Sequence, residues 1–199
     1  MARIVQAAAD LFARHGYNGV SINAIAAAAD TSKANVFHHF RNKDELYLAV
    51  LQHVAKPSQD ALRELTGVDR DAGERLSEFA RAHARILEQH SDTARLVMRE
   101  ILDPGRGEKN AALASQVFAE NFSMLVSIIR EGQEAGTLRA GMDAGALATV
   151  LVGMNVFFAI SRDGLAHYPE VDFADNPELF VERLLDILSE GIHSKGPSS

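Results

Sequence analysis

Lys33, Asn35, His38 and His39 stand close together in the stretch TSKANVFHHF, residues 31–40. An Asn amide carries a donor and an acceptor side by side, which matches the edge of adenine. A Lys ammonium donates to guanine or to a phosphate. Val36, Phe37 and Phe40 are threaded between them at the spacing of an inner helical face. A core helix has no use for the polar set, and a solvated helix has none for two phenylalanines. The pattern therefore predicts a short helix that packs by its back and shows hydrogen-bonding groups to a nucleic-acid groove. His38 belongs to the outer set. For His39, packing and phosphate contact both stay open.

Helical periodicity runs through nearly every long segment, and no strand pattern interrupts it. Ile4, Ala8, Leu11 and Phe12 define the inner face of a first helix that HGYNG ends. Ser21 is placed to cap a second helix, with Ile22, Ile25, Ala26 and Ala29 inside. Asp30-Thr31 breaks it, and Ser32 caps the short helix above. A fourth begins near Lys43, with Asp44 and Glu45 complementing its dipole, and is expected to stop at about Lys56, before Pro57. Further helices are expected over residues 72–89, 92–102, 108–135, 143–161 and 177–193, with Asn176 as the last cap and residues 162–176 as a loop. Pro104-Gly105 and Gly136 separate them, and residues 194–199 read as a flexible tail.

Two short helices joined by a tight turn, packed on a third, form a helix-turn-helix. Composition agrees with a divided chain. The net charge is −7, yet residues 1–56 carry +2 and the remainder −9, a mildly basic head on an acidic body. There is no cysteine, which excludes disulfides, thiolate metal sites and a cysteine nucleophile. Gln6, Asp10 and Arg14 interrupt any signal-peptide core. The greasy run over residues 144–160 is broken by Gly145, Thr149, Gly153 and Asn155 and reads as too short for a membrane span. No catalytic residues, metal or cofactor are expected. Glu190 and His193 give only one Glu-x-x-His pair where a di-metal bundle needs two.

The head resembles the DNA-binding region of the TetR family of transcriptional regulators. The resemblance rests on Leu11-Phe12, Gly16-Tyr17, Ser21, Ile25-Ala26, Ser32-Lys33, Phe37, His39-Phe40 and the run Asn42-Lys43-Asp44-Glu45-Leu46, all in register over residues 3–50. Asp30 stands where the family pattern usually has Gly, and Asp is suited to the left-handed conformation such a turn requires. Phe37 stands where Tyr is usual, and it is expected to serve as scaffold. Few residues precede the first helix, so no arm reaching into the minor groove is expected.

The resemblance implies an all-α protein. A three-helix helix-turn-helix head spans residues 1–45, and a helical ligand-binding and dimerisation domain spans 46–193. It further implies a cytoplasmic homodimer that binds near-palindromic operator DNA as a repressor, and releases it when a small, largely apolar effector binds. Activation, or protein interaction without an inducer, is the alternative. Ser21, Ser32, Lys33, Asn35, His38, His39 and Lys43 are the expected DNA contacts.

In the body, Gly145, Thr149, Val152 and Val156 form a slender helical face, expected to meet a partner subunit. Leu147, Leu151, Met154 and Phe158 lie on the opposite face, expected to fill the interior. His83, Asn121 and Asn155 interrupt apolar stripes. With Phe122 and Met154 they are the candidate ligand contacts, although a buried Asn or His more often bonds a neighbouring helix.

Overall fold

The computed structural model describes residues 1–102 and 108–190. Among them are nine helices and no strand. They are α1 (Ala2–His15), α2 (Ile22–Ala28), α3 (Lys33–His39), α4 (Lys43–Leu65), α5 (Ala72–Gln89), α6 (Ser91–Leu102), α7 (Glu108–Glu134), α8 (Ala144–Leu165) and α9 (Pro177–Glu190). The expected Pro104-Gly105 break, the end of the last helix at His193 with its Glu190 pairing, and the tail over 194–199 lie outside the described residues.

The head is built by local rules. Ser21 Oγ accepts the Ala24 N–H at 3.1 Å, and Ser32 Oγ accepts the Asn35 N–H at 3.1 Å. These caps start α2 and α3 where the sequence places them. Between them, Asp30 sits at φ 50°. The Asp30 N–H reaches the Ala27 carbonyl at 3.2 Å and the Thr31 N–H the Ala26 carbonyl at 2.9 Å, the two bonds of a Schellman ending. Arg3 donates to the Asp30 carbonyl at 3.3 Å and ties α1 to this turn. Asn42 Oδ1 accepts the Glu45 N–H at 2.8 Å while the Glu45 carboxylate accepts the Arg41 N–H at 2.7 Å, a reciprocal cap for α4.

The fourth helix departs from expectation. It does not stop before Pro57 but runs 23 residues with that proline inside. Pro57 forfeits one backbone bond, a cost of about 3 kcal/mol for an interior proline. Beyond it, Leu62 and Leu65 are buried against α5 and α7, and that burial offsets the loss. As a result α4 belongs to both halves. Leu46, Tyr47, Val50, Leu51 and Val54 join the head core, which includes Ile4, Ala8, Phe12, Ile25 and Val36. Leu62 and Leu65 join the body core with Leu76, Phe79, Leu125, Ile128, Ile129, Leu151 and Val181.

The eighth helix also differs. It extends to Leu165, past the expected stop at Ser161, so the expected loop begins later. At 22 residues it is long and apolar enough, by length and composition alone, to cross a membrane. In this fold Ala148, Leu151, Asn155, Val156 and Phe158 pack into the body. The slender face expected to meet a partner is only partly outward. Val156 is buried beside Leu87 and Ala94, and Val152 is partly buried in the same cluster. Thr149 is exposed and bonds back to the Gly145 carbonyl at 2.8 Å. The outward apolar stripe is instead Val150, Met154, Phe157 and Ile160. The reason is that α8 is apolar nearly all round. Spacing alone then groups residues into faces without saying which face the neighbouring helices cover.

Candidate nucleic-acid interface and effector cavity

Helix α3 is anchored by two side chains. Val36 and Phe40 are buried in the head core, while Lys33, Asn35, His38 and His39 are all exposed. Asn35 Nδ2 donates to Thr31 Oγ1 at 2.8 Å, which holds the amide on the outer face. Phe37 corrects the sequence reading. It is 44% exposed and stands under the Lys33 ammonium, which lies 5.8 Å from its ring centroid. One residue beyond Val36 is a turn of about 100° around a helix, enough to carry Phe37 off the inner face.

Lys43 opens α4 beside this surface. Its ammonium lies 4.2 Å from the Tyr17 ring centroid and 5.9 Å from that of Phe12. Tyr17 in turn donates its hydroxyl to Asp44. The ring cluster continues inward: Phe12 meets Tyr47 edge-on at 4.9 Å and stacks on Tyr17 at 5.8 Å. A cation held against an aromatic face keeps its charge while losing some of its freedom. Ser21 is exposed at the start of α2.

The head is also joined to the body through α6. Arg99 donates through Nε to the Ala13 carbonyl at 2.9 Å and through a terminal nitrogen to the Arg14 carbonyl at 2.9 Å. These carbonyls close the last turn of α1, where a guanidinium also complements the helix dipole. Leu96, one turn earlier, is buried in the head core.

Deeper in the body, Asn155 of α8 is 2% exposed. Its Nδ2 donates to the Ala80 carbonyl at 2.9 Å and lies 3.4 Å from His83 Nδ1. The His83 ring stacks on Phe79 at 5.4 Å. Asn155 also lines a cavity of about 330 Å3 between α5, α6, α8 and the start of α9. Ala84, Leu87, Phe158 and Ala159 supply its apolar walls, and Glu88, Arg162, Asp163 and Arg95 its polar rim. Arg95 precedes Arg99 by one helical turn, so the same helix borders the cavity and grips α1.

The other candidate ligand contacts do not converge there. Asn121 donates to the Ala55 carbonyl at 3.2 Å and clamps α7 to α4. Phe122 is 40% exposed on a shallow groove of α7, and Met154 is 37% exposed on the outer stripe of α8. His83 stands behind Asn155 and takes no part in the lining. Periodicity placed all five on helices, but only tertiary packing decides which stripes face one another.

Burial lowers the His83 pKa from 6.5 to about 4. The folded protein therefore refuses a proton that the unfolded chain accepts. The stability this group contributes is present above pH 6.5 and falls as the pH drops toward 4, by about 3 kcal/mol in all. Urea denaturation as a function of pH should show that slope, and His83→Gln should flatten it. An equal slope in the variant would place its origin elsewhere.

A groove-facing helix held by a helix-turn-helix, on an all-helical body with its own cavity, defines a DNA-binding regulator. Residues 4–50 match the family described as bacterial regulatory proteins, tetR family, and residues 73–192 match the tetracyclin repressor-like C-terminal domain. The chain belongs to the TetR family of transcriptional regulators. It is 34% identical over 157 residues to the HTH-type transcriptional repressor SCO4008 of Streptomyces coelicolor, covering 77% of this chain and 74% of that protein. The fold is shared with the fatty acid degradation regulator FadR of Bacillus halodurans at a TM-score of 0.79 and 20% identity, over 96% of this chain and 99% of that one. It is also shared with FadR of Bacillus subtilis, solved in complex with stearoyl-CoA, at a TM-score of 0.77 and 16% identity, over 96% and 99% of the two chains.

Proposed function

We propose that the protein is a cytoplasmic, homodimeric repressor that leaves a near-palindromic operator when a small, largely apolar effector enters the body. The head over residues 1–45 reads DNA; residues 46–193 bind the effector and dimerise. The observation that carries this reading is the exposed set Lys33, Asn35 and His38 on a helix fixed from behind by Val36 and Phe40. Asn35 and Lys33 read base edges, and Phe37 offers apolar surface to a thymine methyl. Ser21, Ser32, His39 and Lys43 hold phosphates.

One short recognition helix covers few base pairs, so two copies are needed for a specific site. The face that fits a second copy is the outer stripe Val150, Met154, Phe157 and Ile160 of α8 with Ile187 and Leu188 of α9. Beyond its own stretch of helix backbone, nothing among the described residues lies within 4 Å of where a Cβ on Gly153, within that stripe, would stand, so a partner helix can approach closely there. For release, an effector in the cavity displaces α6 past Arg95. Arg99 carries the movement to α1, and the spacing of the two heads changes. An almost complete switch needs about 5.5 kcal/mol of preference for the released state.

Two substitutions test the DNA contacts. Lys43→Ala is expected to weaken binding to every sequence alike and to reduce the salt slope by about one phosphate contact. Asn35→Ala is expected to relax base preference at one position per half-site, by about 1–3 kcal/mol. Selection of bound sequences from a random pool, at two salt concentrations, measures both. A variant at Asn35 that still selects the same operator would remove that residue from base reading.

A further inference from the structure

His38 and His39 follow one another in the last turn of α3, with ring centroids 5.2 Å apart. Both are exposed. Among the described residues neither ring has a hydrogen bond or an ion pair, and their printed neighbours are each other and Phe40, 6.3 Å from the His39 ring. All four ring nitrogens are therefore open on the helix that meets DNA. Histidine is the side chain whose charge ordinarily changes between pH 5 and 8. A protonated ring donates from both nitrogens and accepts at neither, which suits a surface of phosphate oxygens. Nearby negative charge favours that form, and duplex DNA carries one such charge per about 1.7 Å of its axis. The carbonyl end of α3 acts in the same sense.

The fixed charge of this surface is small. Over residues 31–45 the cations Lys33, Arg41 and Lys43 stand against the acids Asp44 and Glu45, for a net +1. Both acids are engaged within the head: Tyr17 donates its hydroxyl to Asp44, and Glu45 accepts the Arg41 N–H at 2.7 Å. Helix α2, packed against α3, has no ionisable side chain. On α1, Arg3 donates to the Asp30 carbonyl in the turn before α3, and Asp10 accepts from Gln6 at 2.9 Å. Arg14 and His15 lie at the far end of that helix. No described carboxylate pairs with either imidazole, which leaves DNA as the anion that meets them.

We propose that operator binding takes up protons at His38 and His39, so that affinity for DNA rises as the pH falls from 8 to 6. The inference rests on the DNA-binding reading above and adds the proton to it as a linked ligand. Its sign follows from linkage. The complex favours the charged imidazole more than the free protein does, so the bound state holds more protons and lower pH favours it. With both rings protonated, the net charge over residues 31–45 changes from +1 to +3 in each subunit.

The test uses the full-length protein and the operator duplex recovered by selection from a random pool, titrated at pH 8, 7 and 6 at one ionic strength. The window stays well above the value of about 4 at which the buried His83 takes its proton. Affinity is expected to rise by on the order of tenfold or more from pH 8 to pH 6. The salt slope should steepen at the lower pH, because the added charges release further counterions. Calorimetry at pH 7 in two buffers of different ionisation heat should show a net uptake of protons by the unmodified protein. The double substitution His38→Gln with His39→Gln should remove that uptake and flatten both dependences. His15→Gln on α1 and His53→Gln on α4 should leave them in place. An affinity that does not change between pH 8 and pH 6, the absence of proton uptake, or a pH dependence that persists in the double variant would overturn the proposal while the DNA-binding reading stands. Failure to recover any operator would overturn that reading and the proposal with it.

Discussion

Phe157→Glu is expected to yield a monomer in sedimentation and to lower operator affinity by on the order of a thousandfold or more, since a specific dimer typically exceeds nonspecific binding by about 10^3–10^7. Phe157 is 51% exposed in the single subunit, in the middle of the outer apolar stripe of α8. It contributes nothing buried to either core, so a charge there leaves the subunit intact. In a homodimer the same residue occurs twice in one interface, and the substitution then buries two like charges without partners. Circular dichroism should remain helical. Val156→Glu is the informative contrast. Val156 is 3% exposed beside Leu87 and Ala94, so the same charge there should unfold the subunit before it affects assembly. A Phe157 variant that stayed dimeric and bound its operator normally would place the dimer interface on another surface.

The second large effect is expected from Phe12→Ala. Phe12 is fully buried and packs against Tyr17 and Tyr47. Removing a buried phenylalanine ring costs about 3–5 kcal/mol, a large share of the roughly 5–15 kcal/mol that holds a whole domain. The loss falls on the head core, which meets the body along α4, through α6 and at Val117 and Phe118 of α7. The head should therefore melt at a lower temperature than the body, and operator binding should vanish while dimerisation persists. Tyrosine signals can resolve the two events. The chain has three tyrosines and no tryptophan. Tyr17 and Tyr47 lie in the head cluster, whereas Tyr168 is 60% exposed. Near-ultraviolet circular dichroism thus reports the head, and far-ultraviolet ellipticity is dominated by the body. Coincident loss of both signals in one transition would mean that α4, α6 and the α7 contacts bind head and body into a single cooperative unit.

Much of the head was legible in the sequence because its determinants are local. Ser21, Ser32 and Asn42 each cap a helix within three residues of themselves. Asp30 takes the left-handed turn for which its side chain suits it. Val36 and Phe40 fall inward at a spacing of four, as one helical face requires. Such features depend on neighbours along the chain, and a single sequence contains those neighbours. Even here one residue went astray. Hydrophobicity and spacing make Phe37 look like scaffold, but it lies about 100° around the helix from Val36 and outside the arc that Val36 and Phe40 share, which turns it outward.

In the body the sequence alone determined that the segments are helical and roughly where they begin. Tertiary structure decided the rest, because the deciding contacts are remote in the chain. Continuation of α4 past Pro57 depends on Leu62 and Leu65 finding α5 and α7. The outward face of α8 depends on which side α5, α6 and α7 cover, and an almost uniformly apolar helix carries no polar face to announce it. Asn121 and Asn155 look alike in sequence, each an amide within an apolar stripe. One clamps α7 to the Ala55 carbonyl, and the other bonds Ala80 and lines a cavity. Local sequence sets the angle of a side chain around its own helix axis. What that side chain meets is set by the packing of helices 50 or more residues apart, where burial of apolar surface, and not local propensity, is the dominant free energy.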